Sequence, residues 1–241
     1  MENLHLSQKD INNKNLLGLV LMPILMLFVF LFSKLIKLYF PMIDTSVIIQ
    51  ILFLVLPCII LMYVEKNVNL LNLNLNFNFK QIVKYLIFAV IIGFLSMFTM
   101  SIIAMNIPNI ESQKHPIMIN SFLMISLKVF LLASFAEEIF FRGFVQGWFK
   151  NLSHFGIKLF KKKIGLHIII ASLLFSIGHL GLMNYMHKFM VVNILLSTFL
   201  LGIIAGKAKE KTASIIPAYL VHLCFNLVGV GIPLLLSNFI K

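Results

Sequence analysis

Long uninterrupted runs of apolar residues, separated by short clusters of Lys, Asn and Pro, fill the chain from Leu16 onward. An apolar helix of about 20 residues, rising about 1.5 Å per residue, crosses the roughly 30 Å hydrocarbon core of a bilayer. Seven such spans are predicted, at residues 16–40, 45–64, 81–105, 117–148, 164–185, 189–206 and 213–236. A β-barrel needs short strands in which polar and apolar positions alternate, and these runs do not alternate. The predicted fold class is therefore all-α: a polytopic transmembrane helix bundle of about seven spans, with six to eight as the range, in a single integral membrane domain over 1–241. The last span carries Gly229, Gly231 and Pro233, where it either continues or breaks into a short re-entrant tail. Residues 67–80 do alternate, Asn with Leu or Phe. With no sheet to join, that segment is expected to be a loop lying at the membrane interface.

Composition narrows the class further. Of 241 residues, 60% are apolar and 12% charged, and the mean hydropathy is +1.00, which excludes an ordinary soluble domain. A formal net charge of +12 would suit a nucleic-acid binder. The basic residues lie mostly in short loops between apolar runs, however, so the expected partners are membrane lipids and not nucleic acid. Thirteen lysines fall on the side of the N-terminal tail and five on the other, which places the N-terminus in the cytoplasm. Cys58 and Cys224 both lie inside apolar runs, so neither a disulfide framework nor a CxxC metal pattern is expected. No small-residue cleavage site follows the first run, which is read as a retained helix.

Candidate chemistry comes from ionisable residues inside three of the apolar runs. Each such group costs roughly 2.5–3.5 kcal/mol on insertion scales, so it calls for a reason. The fourth span holds Glu137, Glu138 and Arg142, the fifth His179, and the seventh His222 and Asn226. Glu138 and Arg142 are four apart, share a helix face and are expected to pair as a brace. Adjacent α-helical residues point about 100° apart, so Glu137 is expected to face elsewhere, free to act as a base. His222 and Asn226 are also four apart and share a face. Measured from the basic side at about 1.5 Å per residue, Glu137 lies roughly 20 Å deep, His179 roughly 22 Å, and His222 and Asn226 roughly 14–20 Å. The depths agree. Lys128, within the fourth span, is expected to snorkel or to pair with a carboxylate.

Four motifs stand in order along the second half: Glu137-Glu138 with Arg142, Phe175 with His179, Phe199 with Gly202, and His222 with Asn226. Together they resemble the motifs of the CPBP family of intramembrane proteases, which joins Abi proteins, CAAX proteases and bacteriocin-processing enzymes. The resemblance covers residues 128–227; the motif-bearing catalytic half is set at about 117–236, and the N-terminal spans at about 16–105 carry no motif. It implies an endopeptidase that hydrolyses a peptide bond in a membrane-associated peptide or protein. Glu137 and His179 would activate water, and His222 and Asn226 would hold the oxyanion. Glu138, Arg142, Phe175, Phe199 and Gly202 would have structural or supporting roles. No cofactor is favoured; if a metal is present, it is a zinc ion held by Glu137, His179 and His222 with water in the fourth position.

Each polar group also has a plain structural reading. A lone buried His more often packs than catalyses, and a lone Asn more often joins two helices. His154, His167 and His187 fit no motif, and the lysines at 161–163 read as an interfacial anchor. Two further function classes compete: a non-catalytic membrane immunity or regulatory protein that binds a peptide in the same cavity, and a transporter. The transporter reading lacks an internal repeat or paired broken helices. An Asn-, Lys- and Ile-rich composition suggests an AT-rich bacterial genome, hence a bacterial plasma membrane and a bacterial peptide as substrate in preference to a prenylated one.

Overall fold

A computed structural model describes residues 8–63, 71–107, 126–159 and 162–239. The apolar runs form α1 (Gln8–Tyr39), α2 (Thr45–Tyr63) and α3 (Val83–Asn106). After them come α4 (residues 126–148), α5 (Leu166–Ile177), α6 (Lys188–Thr212), α7 (Ile215–Asn226) and α8 (Ile232–Phe239). Among the described residues, six helices are long and apolar enough to cross a membrane. The fourth predicted span is the exception: 117–125 lies outside the described residues, and the remainder is α4, which carries Lys128, Glu137, Glu138 and Arg142. The break considered near Gly229 is a widened turn instead, because π-helical Leu227–Gly231 leads straight from α7 into α8.

Besides α1, which starts at Gln8 and not at 16, two boundaries differ from the sequence reading. Ile164 and Gly165 belong to a β-hairpin, β1 (Gly156–Leu159) with β2 (Lys162–Gly165), rather than to a span. The hairpin needs glycine at 156, where φ is +149° and a Cβ would stand 2.0 Å from the Ile164 carbonyl oxygen. Second, α6 runs on through Lys207, Lys209 and Lys211, which therefore sit on helical turns and not in a loop.

Why α4 lies at the centre follows from its residues. It has four segments, π-helical Ser126–Ala133, α-helical Ser134–Glu137, π-helical Glu138–Val145 and α-helical Gln146–Trp148. Every residue from Glu138 to Trp148 is buried, about three turns in succession, so neighbours cover all its faces. Lipid cannot satisfy two carboxylates and a guanidinium, whereas a protein interior can supply partners. The same helix offers Phe140, Phe141 and Phe144 to the core. Phe140 meets Phe53 of α2 at 4.4 Å between ring centroids, and Phe141 meets Phe175 of α5 at 5.2 Å. Large apolar side chains of α1 to α3, such as Leu19, Phe28 and Phe98, stay outside, as a lipid-facing surface requires.

At one end of the bundle, Trp148 donates its indole N–H to the Lys14 carbonyl at 3.2 Å, and Lys209 donates to the Arg142 carbonyl. The Asn-rich segment docks at this end. Ile215 N–H bonds to the Asn72 carbonyl at 2.9 Å, and the Ser214 hydroxyl bonds to the Asn74 carbonyl at 2.7 Å. Its alternation is not a strand. Asn72, Asn74 and Asn78 each accept the N–H two residues on, at 2.8–3.0 Å, so the backbone is capped by its own side chains. At the opposite end Lys128 pairs with Asp44 at 2.7 Å, the carboxylate partner expected for it. Burial raises the Asp44 carboxyl, but the bonds from Lys128 and from the Ser46 amide and hydroxyl outweigh it and leave its pKa lowered.

Gly202 and Gly206 line one face of α6, four residues apart. A Cβ at Gly202 would stand 2.7 Å from Ser172 Cβ and 2.9 Å from its Cα, and one at Gly206 would stand 2.7 Å from Ile168. Two small residues at this spacing let helix backbones approach closely where no hydrophobic effect drives association. Replacing Gly202 with Leu is expected to destabilise the detergent-solubilised protein by about 1–3 kcal/mol. Gly181→Ala, with no atom within 4 Å of the new methyl, should change stability by about 0.5 kcal/mol or less. Unfolding midpoints in a denaturing-detergent titration check the pair; equal midpoints would mean that the α5–α6 contact tolerates a side chain.

Candidate active site

His222 and Asn226 reach α4 from α7, and His179 stands at the same Phe175 ring as His222. His222, 3% exposed, reaches α4 with both ring nitrogens. Its Nδ1 lies 2.8 Å from Glu138 Oε1, and its Nε2 lies 3.7 Å from Glu137 Oε2. This corrects the expectation that Glu137 and Glu138 face different sites. Two physical reasons account for it. The helix passes from α to π at this point, and the wider i→i+5 turn narrows the angle between neighbouring side chains. An imidazole also offers two nitrogens that point apart, so two diverging carboxylates can meet one ring.

The expected Glu138–Arg142 brace is present, with Arg142 Nε 3.2 Å from Glu138 Oε2 and neither side chain exposed. Arg142 also lies over the Phe175 ring, its Cζ 4.4 Å from the centroid. Phe175 thereby becomes the hub of the site. His179 stands edge-on to it at 5.1 Å and His222 at 5.5 Å. His179 is the second residue of the 3-10 turns Gly178–Asn184 that continue α5, and its Nδ1 is 3.0 Å from the Phe175 carbonyl oxygen. A carbonyl only accepts, so Nδ1 carries the proton and a neutral His179 keeps its lone pair on Nε2.

Asn226 shares the α4-facing side of α7 with His222. Its amide donates to Ser134 Oγ at 2.9 Å, and Ser134, fully buried, donates to the Val129 carbonyl at 2.9 Å. Ser134 did not figure among the sequence candidates. The available signal was a hydroxyl one turn before Glu137 in an apolar run, a common arrangement in membrane helices. The third motif is more distant: Gly202 packs on Ser172, one turn from Phe175, while half-buried Phe199 takes part in none of the described ring pairs. His167, left out of the site on helical angle, sits at the basic end with Glu210, 3.5 Å from Nε2 to Oε1.

The arrangement can hold and move a proton. It combines a partly exposed carboxylate, two imidazoles and an amide, with Glu138 and Arg142 sealed beneath. Among the described residues, no group of three His, Cys, Asp or Glu side chains is arranged to hold a metal ion.

Comparison with known proteins gives one match. Residues 119–228 fit the family model described as type II CAAX prenyl endopeptidase Rce1-like. No curated protein and no solved structure matches the chain. The matched stretch runs through α4 to α7 and contains every residue of the His222 cluster, so over these residues the chain is similar to the Rce1-like CAAX-protease family.

Proposed function

We propose that the protein is an intramembrane endopeptidase that hydrolyses a peptide bond in a membrane-associated peptide or protein, of the kind handled in bacterial peptide processing or bacteriocin self-immunity. The observation that carries the reading is one imidazole held between two carboxylates, Glu138 at 2.8 Å and Glu137 at 3.7 Å, inside a membrane helix bundle. A purely structural helix contact needs one such partner, and a second carboxylate at bilayer depth adds cost without stability.

Glu137 and His179 activate the attacking water. Glu137 takes its proton, and the hydroxide oxygen bonds to the scissile carbonyl carbon as that carbonyl becomes an oxyanion. His222 and Asn226 receive the oxyanion; Asn226 has a second amide N–H besides the one given to Ser134. Collapse breaks the carbon–nitrogen bond, and the proton held by Glu137 passes to the leaving amine. Donors fixed in a water-poor site need no reorganisation as charge develops, which is why the geometry is worth most here. The route is metal-free, using only groups of the chain.

The protein sits in a bacterial plasma membrane with its N-terminus and the lysine-rich end of the bundle in the cytoplasm, on the thirteen-to-five lysine bias. A cysteine at position 158, on the basic hairpin, should react with an impermeant maleimide only in broken cells. One at position 42, 98% exposed in the α1–α2 turn, should react in intact cells. The reverse pattern would invert the topology.

For the chemistry, Glu137→Gln and His179→Ala should each reduce membrane-peptide processing by about 10²-fold or more, as for loss of a positioned acid–base group. Quantitative comparison of peptides from cells carrying each form measures this. A Glu137→Gln chain that keeps its full effect would support a non-catalytic peptide binder instead. Processing by the purified protein should survive exhaustive chelation. Loss on chelation with recovery on adding zinc would overturn the metal-free route.

A further inference from the structure

We propose that the β1–β2 hairpin is a binding site for anionic phospholipid, with Lys158 and Lys163 holding a headgroup phosphate while Phe155 and Ile157 enter the acyl boundary. The inference is independent of the hydrolytic reading, since no residue of the His222 cluster takes part. It goes beyond an interfacial anchor at 161–163 by naming the face of the ribbon, the residues and the chemistry of the ligand.

Register carries the argument. Successive residues of a strand point to opposite sides, so the pairs Ile157↔Ile164 and Lys158↔Lys163 give the ribbon one apolar and one basic side. Side chains directly opposite stand about 4.5–5.5 Å apart at Cβ, and like charges placed there repel. Lys158 and Lys163 are both exposed. Lys163 gives one N–H to the His154 carbonyl, a bond that leaves its charge in place. Among the described residues Lys158 has no ion-pair partner. An anion between the two ammonium groups turns their repulsion into attraction.

The surroundings have no acid to spare. Over residues 139–241 the sequence has one acidic residue, Glu210, and Lys207 is already paired with it. Lys207 also reaches the Lys163 carbonyl at 3.2 Å, and Lys150 acts through space on His167 and Lys209. The anion therefore comes from outside the chain. Lipid fits better than nucleic acid or an acidic protein, because the hairpin stands where the bilayer begins: Leu166, whose N–H bonds to the Phe155 carbonyl at 2.8 Å, opens the apolar span of α5. Phe155 and Ile157 are 55% and 62% exposed. A ribbon lying flat at the interface buries such side chains among acyl chains and sets its lysines at the level of the phosphates.

Native mass spectrometry of the full-length protein tests the site, with the protein released from micelles that hold equal amounts of phosphatidylglycerol and phosphatidylcholine. The first lipid retained by the wild-type protein should be mostly phosphatidylglycerol. One lysine at an anionic surface is worth about fivefold in binding, so Lys158→Gln should cut this preference about fivefold and Lys158→Gln/Lys163→Gln about 25-fold. Lys158→Arg should keep it. Lys34→Gln/Lys37→Gln removes the same charge from exposed positions near the far end of α1 and should leave the preference unchanged. Equal losses in the two double variants would trace the effect to net charge and overturn the proposal. A wild-type preference in Lys158→Gln would overturn it too. So would displacement of the lipid by inorganic phosphate or an RNA oligonucleotide at constant ionic strength, which marks a site for a soluble anion. If Lys158→Gln/Lys163→Gln does not fold, Lys158→Gln against Lys34→Gln decides.

Discussion

Charge at bilayer depth is the constraint from which the rest of this structure follows. Glu137, Glu138 and Arg142 lie within six residues of one another on α4, and an apolar solvent offers none of them a partner. The helix that carries them must be enclosed. Once it is central, α1, α2, α5 and α7 each find an aromatic or polar contact on it, through Trp148, Phe140, Phe141 and Glu138 respectively. Phe175 completes the enclosure. Its one ring carries Arg142 above it and both histidines at its edges, so a single apolar side chain sets the spacing of three polar ones. Burial of this ion pair is weak evidence for stability as such, because desolvation offsets much of the attraction. Its evident consequence is order.

The candidate groups share a second trait, which concerns the backbone. Glu137 ends an α-helical segment and Glu138 opens a π-helical one. His179 lies just past the change from α to 3-10 geometry, and Asn226 ends α7 where π-helical turns begin. Departures from regular α geometry leave side chains at angles that the 3.6-residue repeat does not provide. That is how two consecutive carboxylates come to meet one imidazole. It is also why an argument from ideal helical angles separated them. Along the Gly202 and Gly206 face, where only packing is asked of it, α6 stays a regular α-helix.

Much of the fold was legible in the residues because a bilayer permits few solutions. Uninterrupted apolar runs had to become helices, and the spacing of Glu138 and Arg142 was enough to foresee their pairing. Depth arithmetic put Glu137, His179, His222 and Asn226 at one level of the membrane, and α7 brings His222 and Asn226 against α4. Less legible was anything that depends on which neighbour lies across an interface. The β-hairpin at 156–165 was concealed by its lysines, which read as a loop anchor. The Asn-rich segment was recognised as a loop, but its docking against Ala213 and Ser214 carries no local signature.

By itself, then, the amino-acid order determined the solvent, the helical class, the succession of spans and the identity of the polar residues that had to find partners. These are consequences of transfer energy and periodicity, which act along the chain. Only the tertiary structure decided the pairings: that Glu138 rather than Glu137 makes the short bond to His222, that Ser134 receives Asn226, and that Phe199 stays apart from the ring cluster. In these pairings hydrogen bonds act over about 3 Å between groups 84 and 92 residues apart. No pattern read along one chain contains that distance.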